Sequence, residues 1–237
     1  MENLKAMVFD VFGTVVDWRG SVIAEGIAWG KQKGLDVNWG DFADRWRLGY
    51  QPAMDDVRSR RIPWTRLDGL HRRILDEILP QFGITGLSES EKSHWSHVWR
   101  RLKPWPDSVE GLTRLRRNYI VTPMSNGNIA LMVNLARFGG LPWDAILGAE
   151  LVEHYKPDPE TYRSAPYFLD LEPGEVMMCA AHRSDLQAAR SHGLRTGFIH
   201  RPLEYGSHRQ ELADQARPGE FDIVASSIVD LAQELGV

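Results

Sequence analysis

The stretch Ala6-Met7-Val8-Phe9-Asp10-Val11-Phe12-Gly13-Thr14 decides the fold. Four apolar residues run unbroken into a carboxylate and then a Gly-Thr pair, as a buried parallel strand emptying into a tight loop would. Asp10 therefore belongs at a strand's carboxyl end. The same pattern returns after Pro104 and Pro106. A helix is predicted from about Asp107 to Asn118, a strand from Tyr119 to Met124 ending in Ser125-Asn126-Gly127, and a helix from Ile129 to Phe138. A strand at Ala145 to Leu147, a loop carrying Lys156-Pro157-Asp158-Pro159 and a helix through Tyr162 and Phe168 follow. The strand Val176 to Ala180 runs into Ala181-His182 and Asp185, a helix reaches His192, and short strands near Thr196 to Ile199 and Phe221 to Val224 complete the series. Strand alternating with helix specifies an α/β fold, a Rossmann-like parallel sheet with helices on both faces. Ligands of such sheets bind beyond the strands' carboxyl ends, where Asp10, Ser125, Lys156 and Asp185 all fall.

Between Asp17 and Leu102 no strand is legible, only helical periodicity: Val22, Ile23, Ile27 and Trp29; Phe42, Trp46 and Tyr50; Leu67 through Leu79; Trp95, Val98 and Trp99. Breakers divide it at Gly34, Pro52, Ile62-Pro63 and Phe82-Gly83, and Ser88 with Glu91 forms a capping box for its last helix. Residues 17–102 are thus expected to be a helical domain inserted after the first strand, with residues 1–16 and 103–237 forming the core.

Composition narrows the function classes. The 237 residues are 43% hydrophobic and 25% charged, with a mean hydropathy of −0.35, which describes a folded globular protein and excludes disorder or a membrane span. A net charge of −4 and a pI near 6.1 offer no field for nucleic acid or an anionic membrane, and Arg58, Arg60 and Arg61 are taken as solvated helix faces. The lone Cys179 cannot form an internal disulfide, and Lys5 and Asp10 bracket what reads as a strand, not an export leader, so a cytoplasmic address is expected.

With motifs at Asp10, Ser125-Asn126-Gly127, Lys156-Pro157-Asp158 and Asp185 arriving in order at successive strand ends, the chain resembles the haloacid dehalogenase (HAD) superfamily over essentially its whole length. The helical insert occupies the position of that family's cap. Within the superfamily it is most similar to the type II, L-2-haloacid dehalogenases. Superfamily phosphatases carry an acid two positions after the nucleophile to protonate a leaving alkoxide; here that position is Phe12. A halide leaves as a weakly basic anion and needs only hydrogen-bond donors. The fourth motif, Ala180 to Asp185, also holds one carboxylate where magnesium-dependent members pair two, so no metal or other cofactor is expected.

The resemblance implies hydrolysis of small 2-haloalkanoic acids, haloacetate or L-2-halopropionate, to 2-hydroxy acids of inverted configuration. Asp10 attacks the halogen-bearing carbon and water then cleaves the resulting ester. Thr14 would fix the Asp10 rotamer or merely cap its loop. Lys156 would neutralise the paired carboxylates, and Asp185 would orient or deprotonate the hydrolytic water unless it serves only as a helix N-cap. Substrate carboxylate maps onto Ser125 and the backbone amides of Val11 and Phe12, with Asn126 donating beside them toward the halide. Arg47 is the candidate for the departing halide ion, with Arg45 its rival, and Tyr162 fits either a site tyrosine or a core aromatic. His182 departs from the asparagine that the family's best-known members carry; its bulk is expected to select small substrates such as haloacetates, fluoroacetate among them. Dimer formation is also implied by the resemblance. The competing functions are a phosphatase or phosphonatase acting on a small phosphorylated metabolite, which needs the acid that Phe12 is not, and a silent scaffold or anion binder, which needs none of the retained polar groups.

Other signals carry less. Cys179 near His182 reads as a buried small hydrophobe and not a thiol dyad. His94 and His97 lack a third ligand. Trp18, Trp29, Trp39, Trp46, Trp64 and Trp95 all fall in the insert, where a small bundle needs large side chains for its core.

Overall fold

The computed structural model describes residues 3–237. Strand β1 (Ala6–Phe9) leads through the Asp10 loop to β2 (Val16–Asp17), which pairs antiparallel with β3 (Lys103–Pro104). Between these two short strands lie α1 (Trp18–Lys33), α2 (Trp39–Leu48), α3 (Tyr50–Arg58), α4 (Leu67–Ile78) and α5 (Glu89–Ser96). Strands β4 (Ile120–Ser125), β5 (Leu147–Gly148), β6 (Val176–Ala180), β7 (Arg195–Ile199) and β8 (Ile223–Ala225) then join β1 in a parallel sheet of order β5-β4-β1-β6-β7-β8. The chain moves outward from β1 to β5, crosses back and continues from β6. The order therefore reverses between β1 and β6, and the crevice at their carboxyl ends is where such sheets bind ligands.

Both faces of the sheet are covered, and its central strands β1 and β6 are apolar at every position. Along β1, Met7 and Phe9 pack with α6 (Ser108–Leu115), α7 (Ile129–Gly139) and α10 (Ile228–Glu234) through Leu112, Leu131, Leu135 and Ile228. Ala6 and Val8 point to the opposite face, against Tyr162 and Ala165 of α8 (Pro159–Leu169) and Leu186 and Ala189 of α9 (Arg183–Ser191). The first of these clusters continues without interruption into the helical insert through Phe12, Trp18, Trp46 and Trp99.

Local signals explain most helix limits. Gly34 ends α1 in the left-handed conformation at φ 69°, and Ser88 and Glu91 form the reciprocal capping box that opens α5. Pro52 does not break the chain as expected. It lies in the first turn of α3, where a missing N–H leaves no helical bond unmade; the interruption falls at Gly49 instead. Arg58 is a second correction. Its guanidinium is not a solvated face but a tie across the cleft, donating to Asp158 and to the carbonyl of Lys156. Arg60 is exposed, and Arg61 is exposed and paired with Asp56. Among the described residues no helix is long and apolar enough to cross a membrane.

Candidate active site

A cleft of about 360 Å³ opens where β1 and β6 end, lined by Asp10, Phe12, Asn126, Lys156, Tyr162, His182, Ser184 and Asp185 from the core and by Arg47, Tyr50, Gln51 and Met54 from the insert. Asp10 is its centre. Its Oδ2 accepts from Thr14 Oγ1 at 2.8 Å and from His182 Nδ1 at 3.1 Å; Lys156 Nζ donates to Oδ1 at 3.3 Å. Burial alone would raise its pKa, but the Lys156 charge, the imidazolium and the Thr14 hydroxyl outweigh it and hold Asp10 well below the usual carboxylate range. A fully ionised, desolvated carboxylate is the result.

Lys156 leaves the β5–α8 connection with its backbone N–H on Asn126 Oδ1 at 2.7 Å, and its ammonium reaches Asp185 Oδ2 at 2.6 Å. Burial pulls its pKa down, and the two carboxylates more than restore it. Asp185, in the first turn of α9, also accepts from Tyr162 hydroxyl at 2.7 Å. Burial and then the Asp10 charge raise its pKa against the opposing pull of Lys156, leaving it a stronger base than Asp10. Two carboxylates in one crevice are thereby driven apart in basicity, the pattern of a nucleophile beside a base.

On the insert side, the Arg47 guanidinium carbon lies 4.3 Å from the Tyr50 ring centroid and 5.6 Å from that of Trp18, and its buried Nη1 has no hydrogen-bond partner. Phe12 is turned into this wall, edge-on to Trp99 at 5.7 Å and to His71 at 6.3 Å. Arg45 faces away and bonds Gln81.

Of the residues expected from sequence, Asp10, Phe12, Arg47, Asn126, Lys156, Tyr162, His182 and Asp185 meet in this cleft. Thr14 stands behind Asp10, where its hydroxyl also accepts from the Ala181 N–H at 2.9 Å. Val11 and Ser125 are fully buried and do not line the cleft; Ser125 Oγ accepts from the Gly127 N–H at 3.1 Å and so shapes the turn that carries Asn126. Asn126 is engaged at both ends, by Lys156 N–H and by the Tyr50 hydroxyl. Cys179 is sealed inside β6, and burial pushes its thiol up.

Sequence reading missed two groups. Tyr50, Gln51 and Met54 come from α3, whose start was hidden by the Pro52 signal. Glu204 sits 2% exposed behind His182, its Oε1 3.1 Å from Nε2. A signal for it existed: β7 is a strand end to which no residue had been assigned, and Glu204 lies five positions beyond it.

This crevice, with its ionised strand-end aspartate, bridging lysine and second carboxylate under a helical wall, is that of an α/β hydrolase. The family model for haloacid dehalogenase-like hydrolases matches residues 4–193, and the chain belongs to that family. It is 27% identical over 227 residues to (S)-2-haloacid dehalogenase 1 of Pseudomonas sp. (strain CBS-3), a match covering 86% of this chain and 89% of that one. Among solved structures, an L-2-haloacid dehalogenase superposes with a TM-score of 0.90 at 46% identity, covering 98% of this chain and 99% of the other. A defluorinating L-2-haloacid dehalogenase superposes with a TM-score of 0.93 at 43% identity, covering 99% and 96%.

Proposed function

We propose that this protein is an (S)-2-haloacid dehalogenase that hydrolyses short 2-haloalkanoic acids to 2-hydroxy acids of inverted configuration through an ester on Asp10. The observation that carries this reading is the electrostatic state of Asp10, ionised and held by three donors, with an aromatic ring at Phe12 where a leaving-group acid would have to stand.

Oδ2 is occupied by Thr14 and His182, whereas Oδ1 has one long contact to Lys156, so Oδ1 is the attacking oxygen. It displaces the halide in line from the substrate carbon, and the halide departs toward the unpartnered Nη1 of Arg47. The substrate carboxylate docks at the backbone amide of Phe12 beside Asn126, with Val11 and Ser125 supporting the turns behind them. Tyr162 and Lys156 hold Asp185 facing the ester, where it orients and deprotonates water. Residues 17–102 act as the cap that brings Arg47 and Tyr50 over the core.

The magnesium ion of the superfamily's phosphatases does not fit these residues. The Lys156 ammonium already bridges the two carboxylates at 3.3 Å and 2.6 Å, and Phe12 and His182 supply no further hard oxygen. The homodimer expected from the resemblance is supported by Tyr167 and Phe168 on α8, which stand 80% and 44% exposed; sedimentation as a monomer would withdraw it. For the chemistry, L-2-chloropropionate should yield D-lactate. Retained configuration would exclude direct displacement by Asp10.

A further inference from the structure

His182 is held at both ring nitrogens. Nδ1 meets Asp10 Oδ2, and Nε2 lies 3.1 Å and 3.2 Å from the two oxygens of Glu204. Burial opposes the imidazolium, but Glu204 and then Asp10 raise its pKa well above the ordinary histidine value. In turn, burial would raise Glu204, and the imidazolium with the Trp18 indole holds it down as a carboxylate.

The position of Glu204 is built, not incidental. Trp18 Nε1 donates to Oε1 at 3.0 Å. Arg201, in the same loop, bonds the Thr14 carbonyl at 2.8 Å and both oxygens of Asp107 at 2.7 Å and 2.9 Å, pinning the loop against the Asp10 turn. Gly13 makes the remaining room: at φ 89° it favours glycine, and a Cβ there would sit 2.3 Å from Glu204 Oε1.

We propose that Glu204 is a positioning residue that keeps a charged His182 aimed at Asp10 Oδ2, so that His182 and Thr14 together stabilise the negative charge this oxygen acquires when water attacks the aspartyl ester. This rests on the dehalogenase reading above and assigns its second half-reaction. In the resting enzyme two carboxylates hold the imidazolium. Once Asp10 is esterified its charge is gone, and Glu204 alone remains to hold it. Water oxygen bonds to Asp10 Cγ and the carbonyl pair moves onto Oδ2, between the two donors. When the pair returns, the Cγ–Oδ1 bond breaks and the 2-hydroxy acid leaves with Oδ1. One water proton passes through Asp185 to the departing alkoxide, and the other is released as Asp10 becomes a carboxylate again. His182 keeps its proton throughout.

The test is rapid-quench single turnover with L-2-chloropropionate. Glu204→Gln should release one equivalent of chloride at close to the wild-type rate but hydrolyse the ester on the order of 10²-fold more slowly, so that protein carrying one carboxyethyl group accumulates in the intact mass spectrum. His182→Asn, which keeps a neutral donor, should slow ester hydrolysis by a similar factor, and adding Glu204→Gln to it should cost that step nothing further. Ester hydrolysis should fall as pH rises through the imidazolium pKa, with that limb at lower pH in Glu204→Gln. Glu204 and Asp10 set it directly; Lys156 and Asp185 face Asp10, and Asp17 and Arg47 face Glu204. Equal slowing of both half-reactions in Glu204→Gln, additive losses in the double variant, or an alkaline limb of ester hydrolysis that is absent or stays in place in Glu204→Gln would overturn the proposal. Absence of chloride from wild type would instead overturn the dehalogenase reading beneath it.

Discussion

The helical wall above the cleft and the sheet edge below it treat their buried polar groups in opposite ways. At the sheet edge Asp10, Lys156, Asp185, His182 and Glu204 form one chain of charge-assisted bonds, and His182 there is charged. In the wall, His71 is sealed between Trp99, stacked at 4.2 Å, and Tyr50 at 6.0 Å; neither ring nitrogen has a partner, and burial and then the Arg47 charge push its pKa well below the ordinary value. Arg47 Nη1 and Trp99 Nε1 are unpartnered beside it. A buried donor left unmatched costs about 1–3 kcal/mol. Under the proposed function the difference separates tasks: the sheet edge is preorganised and complete, while the wall holds a cation whose partner would be the departing halide.

The comparison is broken most severely at the sheet edge. Asp10→Asn should abolish halide release by on the order of 10⁵-fold or more in steady-state assays, and any smaller loss would point to another nucleophile. Lys156→Met leaves two carboxylates without their cation, so denaturant titration at neutral pH should show a loss of about 3–5 kcal/mol. The depressed Asp10 pKa contributes stability that is present above its unfolded value and lost as pH falls through the folded one. Without Lys156 that contribution shrinks, and the acid limb of the halide-release profile should move to higher pH.

The wall should respond differently. Arg47→Met is expected to slow halide release by about 10²-fold with no loss of Tm, because the donor it removes is already unmatched. His71→Phe should raise stability by about 1–2 kcal/mol. His71 titrates below its unfolded value, so its burial removes stability as pH falls below about 6.5. His71→Phe should therefore gain most in thermal melts at acid pH, and an equal gain at every pH would show that packing alone is responsible.

How much of this was legible in sequence follows from range. Asp10 sits directly beyond a short apolar run, Lys156 in a Pro-flanked loop and Asp185 five positions past the apolar run of β6, so local pattern placed them at one edge before any contact was known. Phe12 carried the functional choice because it is two positions from Asp10. Glu204 lies equally far past β7, but its role depends on distant contacts: its partners Trp18 and His182 lie 186 and 22 residues away, and the loop pinned by Arg201 brings the three together. Arg58 was misjudged for the same reason, since its partner Asp158 is 100 residues distant. The α3 residues of the cleft were obscured because proline was read as a break when it occupied a first turn.

Under the proposed function, Asp10 displaces halide from carbon without a metal. Chloride release from the L- and D-enantiomers of 2-chloropropionate should be measured with a chelator present, in wild type and Asp10→Asn, alongside a generic phosphate ester supplied with magnesium. Release from the L-enantiomer alone, indifferent to chelator and lost in Asp10→Asn, is the predicted result. No chloride, with phosphate released only when magnesium is added, would contradict it.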